Sequence, residues 1–123
     1  MSRCPFCYVD DDRIVASNDL AICLRDGFPV SPGHLLFVPR RHVASWFDAT
    51  RDERIAIVDL VDEVFANEVT EADGYNLGIN VGAAAGQTVM HLHVHLIPRR
   101  AGDVDDPRGG VRWVLPRKAR YWE

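Results

Sequence analysis

The sequence predicts an α+β domain: one long helix packed on an antiparallel sheet of about five strands. Three observations carry this expectation. Short apolar and β-branched runs alternate with tight turn signals, which favours antiparallel neighbours. One stretch has helical periodicity and opens on a capping sequence. The 123 residues contain no internal repeat, low-complexity run or linker, so a single domain is expected.

Arg13-Ile14-Val15-Ala16-Ser17 reads as a strand, Asn18-Asp19 as a turn and Leu20-Ala21-Ile22-Cys23-Leu24 as the second arm of a hairpin. Asp26-Gly27, Pro29, Pro32 and Gly33 mark a loop. His34-Leu35-Leu36-Phe37-Val38 is a buried strand by composition, stopped by Pro39. Thr50-x-x-Glu53 is a capping box, and the helix it opens is expected to reach about Val69. Ile55, Val58, Val61 and Phe65, with Ile57 and Val64, define its expected packed face, and Asp59, Asp62 and Glu63 face water. Asp73-Gly74 turns the chain. Tyr75–Val81 is a strand, Gly82–Gly86 a small-residue loop and Val89–Pro98 another strand. A β-like run, Val111–Leu115, follows Gly109-Gly110. The domain is read as a body, residues 1–98, that includes the N-terminal cysteine segment, and a basic tail, residues 99–123, belonging to the same domain.

Fourteen Lys and Arg against eighteen Asp and Glu give a net charge of −4. That disfavours nucleic acid as a specific partner. The longest pure apolar run, Leu35–Val38, is far short of the roughly 20 residues a membrane helix needs, so no membrane association is expected. Three cysteines are too few, and odd in number, for a disulfide scaffold, and a cytoplasmic location follows as the expectation. Residues 99–123 hold seven basic and four acidic residues, a local +3, so residues 1–98 carry −7. Such a tail suits two roles. Its arginines and aromatics could meet a phosphorylated ligand, or it could pack on its own or a partner subunit.

Three of the five histidines are His91, His93 and His95. On a strand they share one face, while Leu92, Val94 and Leu96 point to the core. Such a row suits a metal site or a nucleophilic and acid–base centre. The preceding Asn80, Gly82, Gly86, Gln87 and Thr88 supply neutral donors and glycines, whose backbone N–H groups can approach an oxyanion. Together they describe a phosphate pocket with an imidazole nucleophile. No G-x-x-x-x-G-K-[ST] is present, which excludes P-loop chemistry.

His91-Leu92-His93-Val94-His95-Leu96-Ile97, where φ stands for an apolar residue, matches His-φ-His-φ-His-φ-φ and resembles the histidine triad (HIT) superfamily. Gly86-Gln87-Thr88-Val89 just before it and Pro32-Gly33-His34-Leu35-Leu36-Phe37-Val38-Pro39 upstream strengthen the resemblance, which covers roughly residues 4–100. The run from Gly102 to Trp122 resembles bacterial members of its Fhit-like, diadenosine-polyphosphate-hydrolysing side. The resemblance implies a HIT-like fold, a homodimer whose sheets join, and a nucleotidyl hydrolase or transferase acting on a small-molecule nucleotide. His93 would attack the α-phosphorus of a dinucleoside polyphosphate or nucleoside phosphoramidate and carry the nucleotidyl group. His95 would hydrogen-bond the phosphoryl oxygens, and Gln87 and Thr88 would contact the phosphates and leaving group. Asp26 and Asn80 would lie near the ribose and phosphate, with Gly86 in the binding loop and His34 as a fourth histidine beside the triad. A phosphorylase, or a nucleotide- or zinc-binding adaptor with little turnover, is the alternative.

Cys4-Pro5-Phe6-Cys7 has the spacing of half a tetrahedral zinc site. A redox C-x-x-C would belong to a thioredoxin-like βαβ unit, which the element order lacks. Two unremarkable thiols are the remaining reading. The resemblance implies Cys4, Cys7, His42 and His91 around a structural zinc, with no organic cofactor. Cys23 reads as a small core residue.

Overall fold

The computed structural model describes residues 3–67 and 71–122. Its strands are β1 (Ile14–Ser17), β2 (Ala21–Arg25), β3 (Leu35–Pro39), β4 (Gly74–Ile79) and β5 (Val94–Arg99). The long helix α1 spans Arg51–Asn67, between β3 and β4. All neighbouring strands are antiparallel, in the order β1-β2-β3-β5-β4. The α+β expectation therefore holds, five strands included. The expected helix end at Val69 lies outside the described residues.

Strand alternation divides the central strands between two apolar layers. Ala21 and Cys23 of β2, Leu35 and Phe37 of β3, and Val94 and Leu96 of β5 join Ile57, Leu60 and Val64 of α1 in the main core. Ile22, Leu24, Leu36 and Val38 form a second layer on the opposite face, capped by Phe6. Residues 35–39 are buried throughout for this reason.

The helix opens as its sequence requires. The Thr50 hydroxyl accepts the Glu53 N–H at 3.1 Å, and Glu53 Oε1 accepts the Thr50 N–H at 2.8 Å. The Arg41 guanidinium then clamps both Glu53 oxygens at 2.8 and 3.0 Å. The buried stripe differs from the expected one. Leu60 is buried with Ile57 and Val64, whereas Ile55, Val58 and Phe65 are exposed. Val58 borders a groove of about 310 Å³ shared with Leu77 and Ile79 of the edge strand β4, and Phe65 meets Tyr75 edge-on at 5.2 Å.

Two strand expectations are corrected. The last strand was expected from Val89, but β5 begins at Val94. The β3–β5 ladder ends at Phe37↔Val94, and Pro39 explains why it goes no further. Proline has no N–H to donate, and the Pro39 carbonyl is occupied by His91 Nε2 at 2.8 Å. Val111–Leu115 is not a strand. Gly110–Val114 forms a 3-10 turn, entered through Gly109 and Gly110 at φ 93° and 50°.

The tail folds back on its own chain. Arg99 pairs with both oxygens of Asp103 and reaches Asn76 of β4, and Arg100 donates to the Pro32 and Glu71 carbonyls. Arg112 donates to the Ala119 and Lys118 carbonyls, and Arg108 pairs with Asp106 beneath Trp122. Self-packing thus occupies four of the tail's arginines.

Candidate active site and metal centre

The triad histidines divide between two sites. His91 is fully buried, whereas His93 and His95 are partly open. Each ring's proton follows from its neighbours. The His91 carbonyl lies 2.8 Å from His93 Nδ1, so Nδ1 is the donor and Nε2 keeps its lone pair. The Val30 N–H donates to His34 Nδ1 at 3.2 Å, which puts the His34 proton on Nε2. That Nε2–H meets His95 Nδ1 at 2.9 Å, with Asp26 Oδ2 at 3.3 Å. His95 accepts on Nδ1 and therefore carries its own proton on Nε2. His93, just before β5, thus presents a nucleophilic nitrogen, and His95, two residues on within β5, a donor.

Burial holds the His95 imidazole below its ordinary range, reinforced by neighbouring His93 and His34 and opposed by Asp26. Burial does the same to His34, again opposed by Asp26. Both are neutral at physiological pH. Asp26, His34 and His95 also bring ligand-type atoms within 4.8 Å of one another. The Val30 bond leaves His34 Nε2 protonated, so this trio is a hydrogen-bond relay and not a metal ligand set.

His93 and His95 line one cavity of about 260 Å³ with Asp26, Gly27, Thr88 and Val89. Pro5, Phe6, Arg13, Phe28 and Leu36 complete its wall. The sequence reading missed these five. Phe6 was legible only as the filler of a C-x-x-C, Arg13 only as the start of a strand, where it closes the 3-10 turn Asp11–Arg13, and Phe28 only as a loop residue. Of the expected site residues, His34 sits behind His95, buried. Asn80, Gly86 and Gln87 do not line the cavity. Gln87 is buried and braces the loop: Oε1 accepts the Gly82 N–H at 2.9 Å, and Nε2 donates to the Ala44 and Val89 carbonyls at 2.6 and 3.0 Å. Gly86 closes the 3-10 turn at φ 93°, a conformation that favours glycine.

The remaining cluster is Cys4, Cys7, His42 and His91. His91 spends its Nε2–H on Pro39, which leaves Nδ1 unprotonated toward the other three. Nδ1 lies 3.4 Å from Cys4 Sγ, 3.5 Å from Cys7 Sγ and 3.2 Å from His42 Nδ1, and Cys7 Sγ is 3.2 Å from His42 Nδ1. Zinc bonds of about 2.05 Å to nitrogen and 2.3 Å to sulfur give tetrahedral edges of roughly 3.3 Å (N–N) and 3.6 Å (N–S). The donors fit a tetrahedral ion in number, chemistry and spacing. Four protein ligands leave no open position for catalysis.

Residues 8–102 match the HIT domain. The chain belongs to the HIT family. A HIT-like protein of Saccharolobus solfataricus is 34% identical over 98% of this chain and 88% of its own length. The AP-4-A phosphorylase of Mycobacterium tuberculosis is 32% identical over 78% of this chain, which spans 51% of that protein. The crystal structure of a Zn-bound histidine triad family protein from Mycobacterium smegmatis superposes with a TM-score of 0.65 at 32% identity, over 73% of this chain and 67% of that one. This HIT domain thus belongs to a nucleotide-binding family. None of its described helices is long and apolar enough to cross a membrane.

Proposed function

We propose that this HIT domain is a nucleotidyl hydrolase or transferase that works through a nucleotidyl-His93 intermediate. The observation that carries the reading is the 2.8 Å bond from His93 Nδ1–H to the His91 carbonyl, which aims an unprotonated Nε2 at the cavity. Nε2 attacks the α-phosphorus. The bond from phosphorus to the leaving group breaks, and the leaving group departs with the bonding pair. The His95 Nε2–H hydrogen-bonds a non-bridging oxygen as charge gathers there. The Asp26–His34 relay acts on His95 by fixing its tautomer. Thr88 offers a hydroxyl on the same wall. Water then attacks phosphorus, the P–N bond to His93 breaks, and the mononucleotide leaves. Similarity to an AP-4-A phosphorylase favours, as a second reading, inorganic phosphate in place of water. Gln87 is a positioning residue that holds the loop carrying Thr88.

Cys4, Cys7, His42 and His91 would hold a structural zinc. The ion would tie the N-terminal segment, and with it Phe6, against the strand layer beside His93, whose ring is 4.9 Å from Phe6. The reading also includes a homodimer, supported by the exposed apolar groove between α1 and the edge strand β4.

The test is chemical. Acid quench of the wild type with α-labelled diadenosine tetraphosphate traps a protein-bound phosphoramidate, and His93→Ala lowers kcat at least about a thousandfold, as loss of a nucleophile does. A variant that retains a tenth of wild-type kcat refutes the assignment.

A further inference from the structure

The N-terminal segment serves the catalytic cavity as well as the metal cluster. Pro5 and Phe6, the two residues between Cys4 and Cys7, line the cavity that holds His93 and His95. Phe6 is buried with Ile22, Leu24, Leu36 and Val38, and its ring stands 4.9 Å from that of His93 and 5.9 Å from that of His91. Among the described residues, every backbone hydrogen bond of residues 4–8 stays inside the segment. What ties it to the sheet is the pair of sulfurs, facing His42 and His91, and the Phe6 ring. The wall in front of His93 therefore depends on two thiols that take no part in the proposed reaction.

Those thiols are placed to react with each other. The Cys7 N–H donates to the Cys4 carbonyl at 3.2 Å, closing a turn. The end Cα atoms of such a turn lie within about 7 Å, close to the roughly 4.4–6.8 Å that a disulfide spans. The two sulfurs lie within 4.8 Å of one another. Cys7 is exposed and Cys4 half-buried, so a small oxidant reaches Cys7 first. A thiol that ligates a metal is deprotonated, and the thiolate is the nucleophile. Cys23, fully buried in the main core, is shielded from the same oxidant.

We infer that Cys4 and Cys7 are a reversible oxidation site for small hydroperoxides, and that closing their disulfide releases the metal and withdraws Phe6 from the cavity wall. Cys7 Sγ attacks a peroxide oxygen, the O–O bond breaks, and Cys7 becomes a sulfenic acid as hydroxide departs. Cys4 Sγ then attacks the Cys7 sulfur, the S–S bond forms, and a second hydroxide departs. Two protons from solvent convert both hydroxides to water. The sulfur pair loses two electrons and the peroxide gains them. His42 and His91 alone fall short of the four ligands of a structural zinc site. The inference rests on the metal reading above.

Zinc-loaded protein treated with hydrogen peroxide tests it. A chromogenic indicator reads one zinc released per chain. Peptide mapping finds the stretch 4–13 lighter by two hydrogens and Cys23 still reduced. The His93 ring resonances shift as the Phe6 ring leaves. Turnover falls about tenfold or more, as a displaced cavity wall produces. Dithiothreitol with added zinc reverses all four changes. Phe6→Ala releases zinc to the same extent, but its His93 resonances no longer respond. Failure to take up zinc overturns the metal reading and this inference together. Zinc that stays bound in peroxide, zinc ejected by sulfinic acid without a disulfide, or unmoved His93 resonances overturn the inference and leave the metal reading standing. The first three changes in a protein with no turnover uphold the oxidation site and overturn the nucleotidyl reading instead.

Discussion

Removing the metal should detach the N-terminal segment while the rest of the domain stays folded, and the packing indicates why. Without zinc, residues Cys4–Tyr8 are held chiefly by Phe6, whose burial contributes about 1.5–3 kcal/mol. Ordering five residues costs about 1 kcal/mol or more each. The entropy term wins, so the segment releases. The main core draws on no residue before Val15, so β1–β5 and α1 keep their packing. In the holoprotein, zinc at a thousand times its dissociation constant adds about 4 kcal/mol to stability. At roughly 4 °C per kcal/mol for a chain of this size, chelation lowers Tm by about 15 °C. Elemental analysis should find one zinc per chain in the wild type and none in Cys7→Ser. The chelated protein should keep its far-ultraviolet circular dichroism and be cleaved by protease within residues 1–10. Loss of the whole dichroism signal on chelation would show that zinc organises the core. An unchanged Tm and cleavage pattern would show that the four donors do no structural work.

Acid should destabilise the domain in two ranges. The Arg41 guanidinium, with help from the Thr50 N–H, holds the Glu53 carboxyl down from 4.5 to about 2. The unfolded chain therefore binds this proton first, and the stability Glu53 supplies is present above pH 4.5 and lost as pH falls toward 2. His34 and His95, whose folded forms lie below 6.5, supply stability present above pH 6.5 that begins to drain just below it. Tm measured against pH should show both declines, and Glu53→Gln should remove the lower one; a variant curve parallel to wild type down to pH 2 would contradict the clamp. For assembly, sedimentation should give twice the chain mass, and Leu77→Arg, which puts a charge on the exposed apolar edge of β4, should give the monomer mass. A wild-type monomer at micromolar concentration would remove the homodimer from the reading.

The parts of this molecule legible in its sequence are those where one local rule decides. The Thr50–Glu53 capping box needs only three residues of separation, and it forms as written. Alternation in the triad segment needs only the two-residue period of extended chain, and Leu92, Val94 and Leu96 enter the core while His93 and His95 line the opposite cavity. What the sequence left open depends on partners far along the chain. The strand is shortened because Pro39, 52 residues before His91, has no N–H to give and lends its carbonyl to that histidine's ring. The same bond turns His91 Nδ1 toward the cysteines, so one proline carbonyl both ends the ladder and shapes the candidate metal site. Gln87 has the same origin: its motif marks it as a phosphate contact, but the Ala44 carbonyl, 43 residues away, occupies its amide. The helix stripe failed for a different physical reason. Periodicity ranks apolar residues by angle alone, and α1 has more apolar residues than one sheet face can cover. Ile55 and Val58 are left in water, Val58 beside Leu77 of β4. An apolar surplus of this kind is stable in a soluble chain where a second subunit covers it, which is how a misread packing face becomes an argument for assembly.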